Sequence, residues 1–525
     1  MSRKTVSRIA GATVVAVALF GGLASLGAGR APLPSEAPME VVTTGPTALE
    51  ELANQKEMHQ WLLDQLPAGT SEQRFTTRLS ESEALDLRRA MEEKTDPLKV
   101  GIVKGVQQNV TFARLQAKGL PKDPIAVDGG MLRATDDGGF VWATTLRSEG
   151  AVGIRVHFDS LDLPGDADLY VMNSTGQAFG PYLRQGPNQT GEFWSHTVAG
   201  DSAIVVLKHH GPDGAEDLVR SSFRIADLGH LGPGFRGGPT PSTESFCSFN
   251  ASCVENASCY NVAAANPAKS AVALMQWIAG AFIYTCTGGL INDTVSTSQI
   301  PYFLTANHCL SSNSNAANLE TYFQFSISCG STSCPGQTNP GGIQRLGATV
   351  KATGSAGDFT LLQLNQAAPG GSVFLGWNNT AIANTNGADL YRISHPAWAP
   401  QSYSKHTVDT SAPTCTGWPR GQRIYSRDNV GATEGGSSGS PVVNSSSQIV
   451  GQLSGACGFN PGDPCDDVNN ATVDGAFAYY FTSVQPFLDP GTGGCTLLPA
   501  GASCTSNSQC CSNNCKGPRN RKTCR

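Results

Sequence analysis

Apolar and polar positions follow a different rhythm in each section of the chain, and the changes mark its joints. A basic start, Ser2-Arg3-Lys4 and Arg8, leads into an Ala/Val/Leu/Phe/Gly stretch from about Ile9 to Gly29, with small residues around Ala28 and then Pro32 and Pro34. That layout predicts a secretory signal peptide over residues 1–28, with an uncleaved membrane anchor as the alternative. From Pro46 to about Lys99 the chain is charged, and Leu49, Leu52, Trp61, Leu62 and Leu66 can form one apolar stripe of a helix. Thr47-Ala-Leu-Glu50 and Ser80-Glu-Ser-Glu83 both fit a capping box, so residues 29–124 are expected to be a helical segment.

From residue 125 to 232 the period shortens. Phe140-Val-Trp-Ala-Thr-Thr, Val152-Gly-Ile-Arg-Val-His-Phe, Ala167-Asp-Leu-Tyr-Val-Met and Ala203-Ile-Val-Val-Leu are β-prone runs separated by turn residues, which predicts a β-sandwich. Residues 233–245 are rich in Gly, Pro, Ser and Thr and read as a linker, with Arg236 as a processing site for a basic-specific protease. Short runs return over 246–490, among them Phe282-Ile-Tyr-Thr-Cys-Thr, Tyr322-Phe-Gln-Phe-Ser-Ile, Phe359-Thr-Leu-Leu-Gln-Leu, Gln448-Ile-Val-Gly-Gln-Leu and Phe477-Ala-Tyr-Tyr-Phe. They predict an all-β domain of one large or two small barrels. A second linker, 491–494, precedes a six-cysteine module, 495–525, too small to build a core without covalent staples.

Composition adds the compartment and removes several functions. All 16 Cys of the 525 residues lie at or beyond Cys247, which points to disulfides and an oxidising environment. A formal net charge of -6 argues against a nucleic-acid binder. Asp166 and Asp168 could ligate calcium, but a polar turn beside a strand is the simpler reading. His209 and His210 are adjacent in a strand and point to opposite faces, so they make no metal pair. No metal and no cofactor is expected.

Three stretches carry chemistry: Leu304-Thr-Ala-Asn-His-Cys309, Gly357-Asp-Phe-Thr-Leu-Leu-Gln-Leu364 and Glu434-Gly-Gly-Ser-Ser-Gly-Ser-Pro441. A serine hydroxyl needs an imidazole to take its proton, and the imidazole needs a carboxylate to fix its tautomer. The oxyanion that develops needs preorganised N–H donors, which a glycine-flanked turn exposes. Taken singly, each stretch has a bland reading: a flexible Gly/Ser loop, a turn aspartate, or a His-Cys metal pair. Together they supply nucleophile, base and orienting acid, with His395 and His406 as competing bases.

From about Cys247 to Pro490 the chain resembles secreted trypsin-like serine endopeptidases, closest to the bacterial lysyl endopeptidase branch. The family's Thr-Ala-(Ala/His)-His-Cys motif corresponds to Thr305–Cys309, with Asn307 as the departure, and its Asp-Phe-Thr-Leu-Leu run to Asp358–Leu362. The branch motif Thr-Glu-Pro-Gly-Ser-Ser-Gly-Ser-Pro corresponds to Thr433–Pro441 and differs only at Gly435. The resemblance implies a mainly β, trypsin-like double β-barrel, with His308 as general base, Asp358 as its orienter and Ser438 as nucleophile. It places Gly436 and Ser438 at the oxyanion hole, and Leu453, Ser454 and Gly455 on the strand that pairs with substrate. It also implies a Cys286–Cys309 bridge holding His308, and a Cys457 that reaches back to the cluster of Cys247, Cys253 and Cys259. The tail, with adjacent Cys510 and Cys511, resembles the inhibitor cystine-knot (knottin) pattern, which implies the pairs Cys495–Cys511, Cys504–Cys515 and Cys510–Cys524.

Specificity is the open part of the resemblance. The usual pocket acid, six residues before the nucleophile, is replaced by Ala432. The lysyl endopeptidase branch takes its acid from a later strand, where Asp474 is the nearest candidate, with Asp466 and Asp467 on an inserted loop behind it. Lys or Arg is therefore the expected residue before the cut bond, with a small or aromatic preference still open. The first half resembles the propeptides of secreted bacterial proteases, so the chain's own propeptide is expected to assist folding or hold the enzyme inactive; a targeting module that stays attached is the rival. Expected partners are protein or peptide substrates and, for the basic C-terminal module, an anionic surface or polysaccharide; the mature form is expected to be a monomer. A secreted binding or adhesion protein with an inactive protease-like fold is the alternative function, and a metalloenzyme is a third class.

Overall fold

The computed structural model describes residues 35–72, 74–112, 115, 119–232, 247, 249–295, 298–331, 342–490, 503–506, 515–517 and 522–524. The expected signal peptide (1–28), both linkers and most of the six-cysteine module lie outside the described residues, including Cys495, Cys510 and Cys511.

Two helices open the described chain, Ala48–Leu63 and Glu81–Glu93, and each starts at a complete capping box, Thr47 with Glu50 and Ser80 with Glu83. The expected apolar stripe of the first helix is not a buried face. Leu49 is 80% exposed, Leu52 and Trp61 remain at the surface, and only Leu62 of the five is fully buried. Trp61 lies flat against His210 with Lys208 over its ring, so its role is a local surface cluster. Helical character also ends earlier than expected for 29–124: Arg74–Arg78 is a strand, and Leu98–Thr111 is a strand of 14 residues. Its apolar residues Leu98, Val100 and Ile102 alternate in a way the charged helix before it obscures.

Residues 125–231 build two facing sheets. One runs in the order 178–183, 167–172, 202–209, 140–149, 130–134, 125–127, and the other places 153–162 beside 222–231 and then 98–111. Phe140, Trp142, Leu169, Val205, Phe223 and Ile225 fill the core between them, which is sandwich packing of two inner faces. The second sheet continues into the next part of the chain, because Leu98–Ile102 pairs antiparallel with Phe282–Thr285. Beside this seam, Arg155 lies 3.7 Å from Glu320, both side chains fully buried. Glu320 also accepts from the N–H and hydroxyl of Thr197, so the sandwich completes the solvation of a carboxylate belonging to the other half.

Beyond the linker the fold is mainly β, in two barrel units. Ile449–Gly458 pairs with Pro441–Val443 on one side and Asn470–Ala476 on the other, and the ring closes through 389–394, 402–408 and 423–430. The first unit runs 348–354, 359–364, 302–305, 282–290, 272–279, 320–323, 343–346. Phe477–Leu488, expected to begin as a strand, is a helix. Phe477, Tyr480, Phe481, Val484 and Leu488 recur at a three-to-four residue spacing and are all buried, so helical period overrides the β-propensity of the aromatic residues.

The disulfides pair Cys253 with Cys465, Cys259 with Cys329, Cys286 with Cys309, Cys415 with Cys457 and Cys504 with Cys515. Cys457 therefore does not reach back to the early cluster. It sits beside Tyr425 and Trp418, where Cys415 is the sulfur within reach, and Cys253 instead anchors the loop that carries Cys465.

Candidate active site

The strand Tyr302–Thr305 ends at the interface of the two barrel units, and the turn after it carries His308. Cys309 follows immediately and is bonded to Cys286 of the neighbouring strand, which ties the His308 turn to the barrel wall. Asp358 stands just before the strand Phe359–Leu364, in a left-handed conformation with φ 51° that a short polar side chain tolerates. Its carboxylate grips His308 twice: Oδ2 lies 2.9 Å from Nδ1 and Oδ1 accepts from the His308 backbone N–H at 3.0 Å. The carbonyl of Asp358 is held in turn by Gln452 Nε2, whose Oε1 accepts from the buried Tyr480 hydroxyl. Gln452 and Tyr480 are positioning residues that carry no sequence motif.

Ser438 sits in the turn Glu434–Ser440. Gly436 has φ 97°, and a Cβ there would come within 2.9 Å of the His395 carbonyl, so this position requires glycine. The Gly435 carbonyl accepts from Ala397 N–H at 2.7 Å and the Ser437 carbonyl from Ser440 N–H at 3.0 Å. A trans peptide carries its N–H opposite its carbonyl, so the N–H groups of Gly436 and Ser438 face the other way. Neither donates to an acceptor among the described residues. They form the pair of free donors that an oxyanion hole needs.

His308 and Ser438 meet on a third residue. Oδ1 of Asp96, from the N-terminal half, lies 3.1 Å from His308 Nε2 and accepts from Ser438 Oγ at 3.0 Å. Among the described residues no hydrogen bond joins Ser438 directly to His308. Burial opposes charge on the imidazole, but hydrogen bonds and charge from Asp358 and Asp96 outweigh it and raise His308 to about 10. A protonated His308 cannot take the Ser438 proton. Two residues earlier, at the C-terminal end of the helix Glu81–Glu93, Lys94 pairs with Glu434, whose other oxygen accepts from Asn250 Nδ2 at 2.8 Å. Burial pushes the Lys94 ammonium down to about 8. The Lys94 carbonyl passes so close to Gly435 that a Cβ there would lie 2.7 Å from it. The one departure from the branch motif is thus the position where the N-terminal half enters the cleft.

Asp474, the expected pocket acid, does not face that cleft. It is fully buried and its Oδ1 lies 2.6 Å from Nη2 of Arg392, itself fully buried. Its Oδ2 has no hydrogen-bond partner among the described residues, but it is sealed from solvent beside Arg392 and does not line the cleft. The cleft beside Ser438 is lined instead by Lys94, Asp96, Asp428, Glu434, Leu453 and Gly455. Leu453 and Gly455 lie where substrate pairing was expected, and Ser454 between them is buried with an unbonded hydroxyl. Asp466 and Asp467 also reach the cleft, from the loop that Cys465 anchors.

The competing bases are sealed. His395 is stacked on Phe325, and burial lowers it to about 4. His406 lies 2.7 Å from Ser404 Oγ and 2.6 Å from Asp428, a serine–histidine–aspartate chain like the first, but Ser404 and His406 are closed to solvent. Asp166 approaches His209 and Asp217, whereas Asp168 bonds Tyr170 and lies 3.3 Å from His210.

Parts of the chain are similar to known proteins. Residues 244–468 match the model of the lysyl endopeptidase C-terminal domain. A lysyl endopeptidase of Pseudomonas aeruginosa is 27% identical over 357 residues, 66% of this chain and 73% of its own. By homology, the chain is a serine peptidase. A second relative, secreted RxLR effector protein 73 of Plasmopara viticola, is 29% identical over 57% of this chain and 73% of its own. Among solved structures, the active form of the Rv3671c protease from M. tuberculosis aligns with a TM-score of 0.29 and 16% identity, over 46% of this chain and 92% of its own. The barrel of this serine peptidase continues past the matched segment, through the strand Asn470–Ala476 and the helix Phe477–Leu488.

Proposed function

We propose that the chain is the latent precursor of a secreted serine endopeptidase that cuts peptide bonds after Lys or Arg. The observation that carries the reading is that His308, hydrogen-bonded to Asp358, meets Ser438 on one shared Asp96 oxygen, beside two N–H donors that engage no acceptor among the described residues. Once Asp96 withdraws, the His308 ring keeps only the Asp358 carboxylate at Nδ1, and Nε2 becomes free to accept the Ser438 proton. Ser438 Oγ then attacks the scissile carbonyl, whose oxygen is received by the N–H groups of Gly436 and Ser438. His308 passes the proton to the leaving amine, and water hydrolyses the acyl-enzyme by the same route.

Three observations support latency. Asp96 engages both His308 and Ser438, Lys94 lines the cleft and pairs with Glu434, and Leu98–Ile102 joins the barrel sheet. Cleavage in the 233–245 linker would free the N-terminal half from its covalent tie. The names of the relatives, a lysyl endopeptidase and a secreted effector, support the Lys preference and an extracellular site of action. The acidic cleft, with Asp428, Glu434, Asp466 and Asp467, supports a cationic substrate residue. The six-cysteine module adds a basic tip, with Lys516 and Lys522, suited to an anionic surface or polysaccharide.

The test is a cleavage map. A denatured protein mixture is digested with the processed enzyme and with its Ser438→Ala variant, and new C-termini are sequenced by mass spectrometry. Termini at Lys or Arg that vanish with the variant support the reading. Ser438-dependent termini at other residues refute the specificity, and no Ser438-dependent cleavage refutes the endopeptidase and returns the chain to the binding-protein alternative.

A further inference from the structure

We propose that Asp428 is the carboxylate that selects a cationic side chain on the substrate residue before the cut bond. The inference rests on the endopeptidase reading above and replaces the buried Asp474 in that role. Asp428 lies on the strand Arg423–Val430, in the barrel wall rather than on a loop, and lines the same cleft as Ser438, Leu453 and Gly455. One oxygen, Oδ1, is anchored by His406 Nδ1 at 2.6 Å and by the Thr472 hydroxyl at 2.7 Å. The other, Oδ2, makes no hydrogen bond among the described residues, although the side chain is only 13% exposed. A buried carboxylate with one fixed and one free oxygen is arranged to receive a donor that arrives from outside.

The neighbours keep that charge available. His406 Nδ1 lies 2.6 Å from Oδ1 and its Nε2 lies 2.7 Å from the Ser404 hydroxyl, so the ring is held from both sides and engages one carboxylate oxygen only. Arg392, the nearest fixed cation, is committed to Asp474. Burial pushes the Asp428 carboxyl up, but the His406 and Thr472 contacts outweigh it and hold it below its ordinary value. The other acids of the cleft are differently placed. Glu434 receives Asn250 and the backbone N–H of Ala251, and Asp463 and Asp466 bond within their own exposed loop. A side chain entering between Leu453–Gly455 and the 433–438 turn meets Asp428 as the free acid of the wall.

The experiment uses the processed enzyme and matched peptides that differ only before the cut bond: Lys, Arg, norleucine, Leu and Phe. Active enzyme is counted by labelling Ser438 with a fluorophosphonate, so misfolded protein does not enter the rates. Asp428→Asn keeps the shape and removes the charge. It is expected to lower kcat/KM for Lys and Arg by about 100-fold, about 2.7 kcal/mol at 1.36 kcal/mol per tenfold, with norleucine changed less than threefold. Asp428→Ser is made in parallel in case the amide disturbs His406. Binding gives a second readout: benzamidine should raise the Tm of the Ser438→Ala enzyme, and Asp428→Asn should abolish that rise. The proposal is overturned if Asp428→Asn keeps the Lys-over-norleucine ratio and the benzamidine shift, or if Asp466→Asn or Asp467→Asn loses them instead. A wild-type enzyme that cuts, but prefers norleucine or Phe, overturns the basic specificity. One that fails to react with the fluorophosphonate overturns the endopeptidase reading itself.

Discussion

Replacing Asp96 with Ala in the uncleaved precursor should uncover His308 and Ser438 while Lys94 stays at the cleft. The same Asp96 oxygen binds His308 Nε2 and Ser438 Oγ, so its removal releases both at once. The rise of His308 from 6.5 to about 10 corresponds to roughly 5 kcal/mol at 1.36 kcal/mol per pH unit. Asp358 remains in the variant, so only part of that is released. The Asp96 side chain is 42% exposed, and solvent screening lowers its share to about 2 kcal/mol, or about 30-fold. The assay is the rate at which a small fluorophosphonate labels Ser438 at neutral pH, with intact mass confirming that the linker is uncut. Labelling should rise by about 30-fold, because the neutral base and free hydroxyl become more populated, while protein substrates stay uncut behind Lys94 and its neighbours. A labelling rate within twofold of the unaltered precursor would refute the clasp.

The same contact sets a pH dependence. His308 is raised in the clasped state, so the clasp is fully stabilising below about 6.5 and loses that contribution as pH rises through about 10. Labelling of the precursor, measured relative to Asp96→Ala, should therefore accelerate across that window, and a flat ratio would contradict it. Gly435→Ala places a Cβ 2.7 Å from the Lys94 carbonyl; precursor labelling, normalised to the processed form of the same variant, should rise about tenfold if overpacking costs on the order of 1–3 kcal/mol there. Arg392→Met leaves Asp474 as an unpaired buried charge and should cost about 3–5 kcal/mol in urea unfolding, with Arg392→Met/Asp474→Leu recovering most of it. Equal stability of the single and double variants would show that the pair is not coupled.

Local chemistry was legible in the chain itself. Thr305–Cys309, Asp358–Leu362 and Gly436–Pro441 carry the serine, histidine, aspartate and turn glycines of the proposed site as contiguous words. The helix starts at Thr47 and Ser80 were readable in the same way: a capping box is closed by side chains three residues from the cap. The strands 167–172 and 359–364 were readable from their alternation and their flanking turns.

What needed the tertiary structure was every decision made between distant residues. Phe477–Leu488 is aromatic enough to read as a strand, and only the buried face it finds against Trp377 and Phe359 selects the helical period. Cys457 had several partners open in sequence, and proximity of Cys415 chose one. The sequence pointed to Asp474, with Asp466 and Asp467 behind it, and gave no reason to single out Asp428. Arg392 pairs with Asp474 and burial seals its other oxygen from solvent, whereas Asp428, held by His406 and Thr472, lines the cleft. Asp96 carries no motif at all. It reaches Ser438 across 342 positions because the Cys-free half adds a strand to the barrel sheet and a helix end to the cleft. Chemistry encoded in short range was determined by the sequence alone, while charge pairing, burial and latency depended on which remote side chains the fold brought within about 3 Å of one another.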